Sequence, residues 1–441
     1  MNKKIGMISL GCPKNQVDAE RMLAQLCDAG YEISENSEEL DAVIINTCGF
    51  IDAAKEEAIE NILEMAQYKQ AGLIKKIIVT GCLAQRYSDE ILKEIPEVDG
   101  VIGIGANADI VSLVNKVLSG ETFCKIPAKN ELPLSGKRVL STPEHWAYLK
   151  ISDGCMNRCA YCAIPGIRGD LRSVKPGDVI SEAHELAKSG VKELIIVAQD
   201  TTNYGYDLFG KSALPSLLKE LCKIDGIKWI RLLYCYPDKI TDELLSVMKS
   251  EEKILHYIDL PLQHADDAVL KRMNRRGDRK LLETVIDKIR STLPDAVIRT
   301  TFMVGFPGES DKEFETLAGF VKKIRFDRMG CFAFSPEEGT PAFDMPNQID
   351  EKIKAKRGEI LMQSQLMITD EINSQKIGKV FEVIVDDFDE ENNEYVGRTY
   401  MDAPEIDGIV RFTDSNVLKK GDFVKVEITD YSDYDLIGVR I

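Results

Sequence analysis

Three cysteines fall within a short stretch of chain, Cys155-Met-Asn-Arg-Cys159-Ala-Tyr-Cys162. That spacing lets three thiolates wrap one iron-sulfur cube and leave one iron open to a ligand from outside, whereas a closed structural zinc site wants a fourth ligand. Zinc completed by a distant histidine, or thiols simply packed in a loop, are the alternatives. A second set is spread wider. Cys12, Cys48 and Cys82 match no compact motif, but each directly follows a strand pattern, in Ser9-Leu-Gly-Cys12, Asn46-Thr-Cys48 and Thr80-Gly-Cys82. Carboxyl ends of parallel strands share one edge of a sheet, so these thiols can converge. Gly11, Gly49 and Gly81 beside them permit the tight backbone a cluster loop needs; three separately buried core thiols are the alternative. The other five, Cys27, Cys124, Cys222, Cys235 and Cys331, share no spacing and are expected in the core. In Gly305-Phe-Pro-Gly308-Glu309 the glycines either let backbone approach a bound cofactor or make a plain strand-to-helix turn. His264 is open in the same way between a cofactor contact and a structural role. No catalytic acid or base stands out.

The elements that must position these sets fall into three segments. Residues 1–125 alternate strand patterns (Ile5 to Leu10, Ala42 to Thr47, Lys76 to Thr80, Val101 to Ile104) with helical ones (Val17 to Ala29, Ala53 to Gln70, Ala108 to Leu118), which predicts an α/β, flavodoxin-like parallel sheet. Residues 126–143, rich in Lys, Pro, Ser and Gly, read as a linker. Over residues 144–372 the alternation restarts with a wider repeat, and strand patterns at 148–152, 194–198, 229–234, 255–260, 297–303 and 329–334 predict an open barrel of six βα units. Residues 375–441 change to alternating β-type runs, which predict a small antiparallel β-barrel.

Eleven cysteines in a chain of 441 residues point to metal or redox chemistry if the compartment is reducing. No apolar run approaches the roughly 18 residues of a membrane helix, and the cytoplasm is the expected location. A net charge of -17 weighs against tracking phosphates, so nucleic acid is not expected as the direct substrate, and a basic protein suits the charge better. From Lys376 to Ile441 the chain carries eight Lys and Arg against sixteen Asp and Glu, a net of -8. Such a surface repels phosphate and attracts basic protein, less so as salt rises; the alternative is that the acids only keep the small barrel soluble.

Ser9-Leu-Gly-Cys-Pro-Lys-Asn15 with Val17-Asp18-Ala-Glu20, Asn46-Thr-Cys-Gly-Phe-Ile51, Ser152-Asp-Gly-Cys155 running to Cys162-Ala-Ile-Pro165 and Ile167-Arg-Gly169, and Asp402-Ala-Pro-Glu-Ile-Asp-Gly408 together resemble the radical S-adenosylmethionine (SAM) methylthiotransferases, over essentially the whole chain. The tRNA-modifying branch usually shows Tyr-Gly-Cys-Gln-Met-Asn at the first cysteine, so the protein-modifying branch is the better match. The resemblance implies two [4Fe-4S] clusters and SAM. One cluster, on Cys155, Cys159 and Cys162, binds SAM and cleaves it to a 5′-deoxyadenosyl radical, with Gly305 and Gly308 as candidate SAM contacts; the other, on Cys12, Cys48 and Cys82, holds sulfur that a second SAM methylates. The implied product carries a methylthio group on the β-carbon of an aspartate in small-subunit ribosomal protein twelve. A C-terminal TRAM domain recognises the substrate, and an electron donor such as flavodoxin and a sulfur source are implied as partners. Two rival readings are a tRNA adenosine methylthiotransferase and a non-catalytic iron-sulfur redox protein, for which a barrel and a recognition domain are more than electron transfer needs.

Overall fold

Runs of Ile, Val and Ala build the first sheet. In the computed structural model, which describes residues 3–34 and 39–441, β1 (Lys4–Ser9), β2 (Glu32–Ile33), β3 (Ala42–Thr47), β4 (Ile77–Gly81), β5 (Gly100–Ile102) and β6 (Phe123–Lys125) align in the order β2-β1-β3-β4-β5-β6. All neighbouring pairs are parallel. Helices cover both faces, which is why β3 and β4 are buried along their full length. Helices Pro13–Asp28 and Ile110–Leu118 pack Met22, Leu26 and Leu113 on Ile5, Ile44 and Ile78. Helices Asp52–Gln70 and Ser88–Glu94 pack Ile62, Met65 and Ile91 on Val43, Ile45 and Val79. The short edge strands β2 and β6 and the helices Cys82–Arg86 and Ser88–Glu94 go beyond the sequence expectation.

The chain divides into two units that do not follow its order. The first comprises Met1–Ser141, Lys150–Glu182 and Ser335–Phe343, and the second Thr142–Leu149, Ala183–Phe334 and Asp344–Ile441. Within the first, the stretch expected as a linker is fastened down. Arg138 donates to Glu20 and Glu182 from a buried position, the Val139 N–H donates to the Glu20 carbonyl, and Arg172 donates to the carbonyls of Asn130 and Leu132.

β7 (Trp146–Lys150) precedes a small antiparallel pair, β8 (Ser152–Asp153) with β9 (Arg172–Ser173), which closes the base of the loop that carries Cys155, Cys159 and Cys162. The second unit's sheet adds β10 (Glu193–Val197), β11 (Trp229–Leu232), β12 (Ile254–Asp259), β13 (Val297–Val304) and β14 (Arg328–Ala333), in the order β14-β13-β12-β11-β10-β7. Helix Glu351–Ser374 leads to a closed barrel of β15 (Val380–Asp389), β16 (Glu394–Arg398), β17 (Val410–Thr413), β18 (Phe423–Ser432) and β19 (Asp435–Arg440). That barrel is antiparallel except for β17 and β19, which run parallel.

Two of the cysteines expected in the core are not there. Cys27 is exposed on the last turn of its helix and Cys124 is exposed on edge strand β6, while Cys235 is buried and Cys222 and Cys331 are half-buried. Among the described residues no helix is long and apolar enough to cross a membrane.

Candidate active site

Both cysteine sets lie in the first unit. β1, β3 and β4 are neighbours in parallel register, Ser9 beside Asn46 and Thr47 beside Gly81, so the loops after them leave from one edge. Three glycines let those loops interlock. A Cβ on Gly11 would meet the Cys48 Cβ at 2.5 Å, one on Gly49 would meet the Leu83 backbone at 2.8 Å, and one on Gly81 would meet the Thr47 carbonyl at 2.4 Å. Two asparagines lock the arrangement: Asn15 Nδ2 donates to the Leu10 carbonyl at 2.9 Å, and Asn46 Nδ2 donates to the Asn15 carbonyl at 2.8 Å.

The three thiols differ in environment. Cys12 precedes helix Pro13–Asp28 as its N-cap. Burial pushes its thiol up, but Lys14, Arg168 and the backbone N–H groups of Asn15 and Lys14 outweigh that and hold it below the ordinary value. Cys48 is pushed up to about 12 by burial and by the nearby Cys82 and Cys12, and burial raises Cys82 against the opposing charge of Arg168. Each of Cys48 and Cys82 is thus raised in part by the charge of a neighbouring thiol of the set.

In the second set, Cys155 and Cys159 are buried and Cys162 is half-buried. The Cys155 N–H donates to the Gly169 carbonyl at 3.1 Å, and the Cys162 N–H donates to the Cys159 carbonyl at 3.1 Å. A cavity of about 540 Å³ is lined by Arg158, Cys159 and Cys162 together with Gln85, Arg86 and Tyr87, which close the helix that Cys82 opens. Glu338 and Gly339 complete its wall. Among the described residues no three His, Cys, Asp or Glu side chains are gathered closely enough for a single ion; a four-iron cube spreads its thiolates wider than that. The donor chemistry fits such a cube in both places, since each offers three cysteine thiols, the N-terminal three in loops that glycine lets close.

Asp18, Glu20, Asp153 and Arg168 stand in the motifs that carry the family resemblance, but no role is read for them there, and Lys150, Lys55, Arg86 and Glu337 are not singled out by the sequence. Arg168, Asp18, Asp153 and Lys150 form a buried ion group, with Arg168 Nη1 at 2.9 Å from Asp18 and 2.7 Å from Asp153, and Lys150 Nζ at 2.6 Å from Asp18. Buried Glu337 takes Lys55 and Arg86, each at 3.0 Å, and Arg86 also donates to the Gly49 carbonyl at 2.7 Å. Asp18, Glu20 and Arg21 are all buried on one helix, and charged residues on a covered face were the usable signal.

Gly305 and Gly308 lie in the second unit, both at positive φ, in a turn closed by Glu309, whose carboxylate accepts from the N–H groups of Gly305 and Phe306. His264 is fully buried there, its Nδ1 accepting from the Asp266 N–H and its Nε2 3.9 Å from Glu309.

Three family models match the chain: Uncharacterized protein family UPF0004 over residues 4–103, the Radical SAM superfamily over 149–321 and a TRAM domain over 377–441. The ribosomal protein uS12 methylthiotransferase RimO of Thermoanaerobacter sp. (strain X514) is 52% identical over 437 residues, covering 99% of each chain. RimO of Clostridioides difficile (strain 630) is 48% identical over 99% of this chain and 98% of its own. Among solved structures, the radical SAM methyltransferase TsrM of Kitasatospora setae, with cobalamin and a [4Fe-4S] cluster bound, matches at a TM-score of 0.60 and 13% identity, covering 78% of this chain and 77% of that one. At that identity the likeness is one of fold.

Proposed function

Because the chain belongs to the family of ribosomal protein uS12 methylthiotransferases, RimO, we propose that it attaches a methylthio group to the β-carbon of an aspartate in ribosomal protein uS12. The observation that carries this reading is the shared cavity: the residues that follow Cys82 and the cysteines Cys159 and Cys162 line one space, where a sulfur source and a radical source have to meet one acceptor. Cys155, Cys159 and Cys162 hold a [4Fe-4S] cluster that binds SAM, and Cys12, Cys48 and Cys82 hold a second. When bound, these groups supply reductive cleavage of SAM to a 5′-deoxyadenosyl radical and the sulfur for transfer.

The chain's own residues orient and enclose. Gly11, Gly49 and Gly81 bring the N-terminal loops together, Asn15 and Asn46 fix them, and the Arg86–Glu337–Lys55 group ties the helix after Cys82 to segment Ser335–Phe343. A substrate seated in the cavity would exclude water from the chemistry. Gly305 and Gly308 allow backbone to approach SAM, and His264 is not assigned a role in the chemistry. The sequence division into 1–125, linker 126–143, 144–372 and 375–441 assigns the second cluster, the SAM chemistry and substrate recognition to successive segments. The acidic final barrel recognises the basic substrate. An electron donor such as flavodoxin and a separate sulfur source complete the reaction in the cytoplasm.

The test is anaerobic. With iron and sulfide reconstituted and SAM and reductant added, uS12 and tRNA are offered in parallel and both are weighed. A methylthio gain on an aspartate of uS12 is the expected result; a gain on tRNA alone overturns the substrate. Cys12→Ala is expected to retain SAM cleavage and lose transfer, whereas Cys155→Ala loses both.

A further inference from the structure

Helix Ile164–Arg168 starts two residues beyond Cys162 and ends on Arg168, so the segment that carries one cysteine set delivers a side chain to the other. Arg168 is 1% exposed. Its Nη2 lies 3.6 Å from Cys82 Sγ and 3.3 Å from Asn15 Oδ1, while Nη1 donates to Asp18 and Asp153. Lys150, bonded to the same two carboxylates, makes the group two cations and two anions. Its arrangement is one-sided. The guanidinium is the member that touches sulfur, and at Cys82 its charge acts more strongly than that of Asp18. Burying four charges costs free energy that a packed apolar group would not. What an apolar group cannot do is present an N–H donor and a fixed positive charge to a sulfur.

Hydrogen bonds to the sulfurs and net local charge set the potential of an iron-sulfur cluster. Three thiolates bring negative charge into a buried place, one added electron brings more, and a cation beside them offsets both. We propose that Arg168 is a positioning residue for the cluster on Cys12, Cys48 and Cys82, bonding the Cys82 sulfur and raising that cluster's reduction potential. This rests on the reading that a cluster sits there. Arg168 thereby makes the chain downstream of the radical SAM cysteines a control on the second cluster.

The test uses the full-length chain with Cys155, Cys159 and Cys162 replaced by Ala, so that one cluster remains, titrated with dithionite through mediators and followed by electron paramagnetic resonance. Each reduced cluster takes up one electron from the dithionite. Arg168→Gln is expected to shift the midpoint to more negative potential and Arg168→Lys to shift it less. Arg168→Gln leaves a buried carboxylate unbalanced and can fail to fold, so Arg168→Gln with Asp153→Asn is measured beside it. That pair removes one charge of each sign and leaves Lys150 with Asp18. It is expected to recover thermal stability while the midpoint stays low, a split that a purely structural role does not produce. A midpoint equal to the parent's in the paired variant overturns the proposal, as does loss of the cluster from every Arg168 variant, Lys included. Failure of the parent to assemble any four-iron cluster on Cys12, Cys48 and Cys82 instead refutes the site itself, and the proposal falls with it.

Discussion

Of the three N-terminal thiols, Cys12 alone caps a long helix and feels Lys14 and Arg168 together, and it alone is held below the ordinary thiol value. Cys48 and Cys82 are both raised by burial and are less accessible. Iodoacetamide applied to the iron-free protein near neutral pH is therefore expected to alkylate Cys12 well before the other two, since the thiolate is the nucleophile; peptide mass mapping over time would read the order, and equal rates would contradict these environments. Lys376 gives a pH-dependent case. It is buried, bonded to Asn373 at 2.9 Å, and burial followed by Arg328 lowers its amine to about 8. An unfolded lysine titrates near 10.4, so between those values the folded state binds fewer protons and stability rises with pH. The cost of the buried charge is fully present below about 8. Lys376→Met is expected to gain about 1–2 kcal/mol at pH 7, seen as a higher Tm, with the gain shrinking toward pH 10.

At the scale of elements, the interlocking of the loops after β1, β3 and β4 depends on absent side chains. Gly81 sits at φ +94° and ψ -159°, a region open to glycine, with the Thr47 backbone where a Cβ would be. Gly81→Ala is expected to cost about 1–3 kcal/mol or more and to push Cys82 off the shared edge; it would lower the Tm and lose one cluster's share of iron, and a variant with full iron would show that the loops tolerate separation. That the loops after these three strands leave one edge was legible, because apolar runs declare where strands end and each of Cys12, Cys48 and Cys82 follows such an end. Edge strands of two or three residues, β2 and β6, carry no period to read. The Asp18–Arg168 contact joins residues 150 positions apart, and nothing local at either end announces the other. The stretch of 126–143 looked loose for the same reason: its polar side chains are held by Glu20 and Glu182, far along the chain.

At the scale of the molecule, the final barrel belongs to the second unit by buried polar contacts as well as by contact of apolar surface. Arg398 spans Glu193 of β10 and Asp386 of β15, each at 2.7 Å, Arg231 of β11 donates to Glu193 and to the Tyr400 carbonyl, Arg328 of β14 pairs with Asp402, and Tyr257 of β12 donates to Asp407. The segment Asp402 to Gly408, part of the family resemblance, thus turns Asp402 and Asp407 inward and leaves Glu405 exposed, alongside the exposed acids Asp387, Glu390, Glu391, Asp422, Asp430 and Asp433. Deleting residues 376–441 would strip partners from buried charges at about 3–5 kcal/mol for each broken pair. The truncated chain is expected to have a lower Tm and to lose SAM cleavage together with substrate binding, so truncation does not isolate recognition. Reversing exposed charges does. Glu390→Lys, Glu391→Lys and Asp430→Lys together are expected to leave the Tm and SAM cleavage nearly unchanged, because surface substitutions usually move stability by about 0.5 kcal/mol or less. They are expected to weaken binding of a basic ribosomal protein and to flatten its dependence on salt, which screens exposed charges beyond about 10 Å at 0.1 M. Binding by the reversed variant that equals the parent's at low salt would mean that the acidic face of the small barrel does not carry recognition, and that the acids serve its solubility.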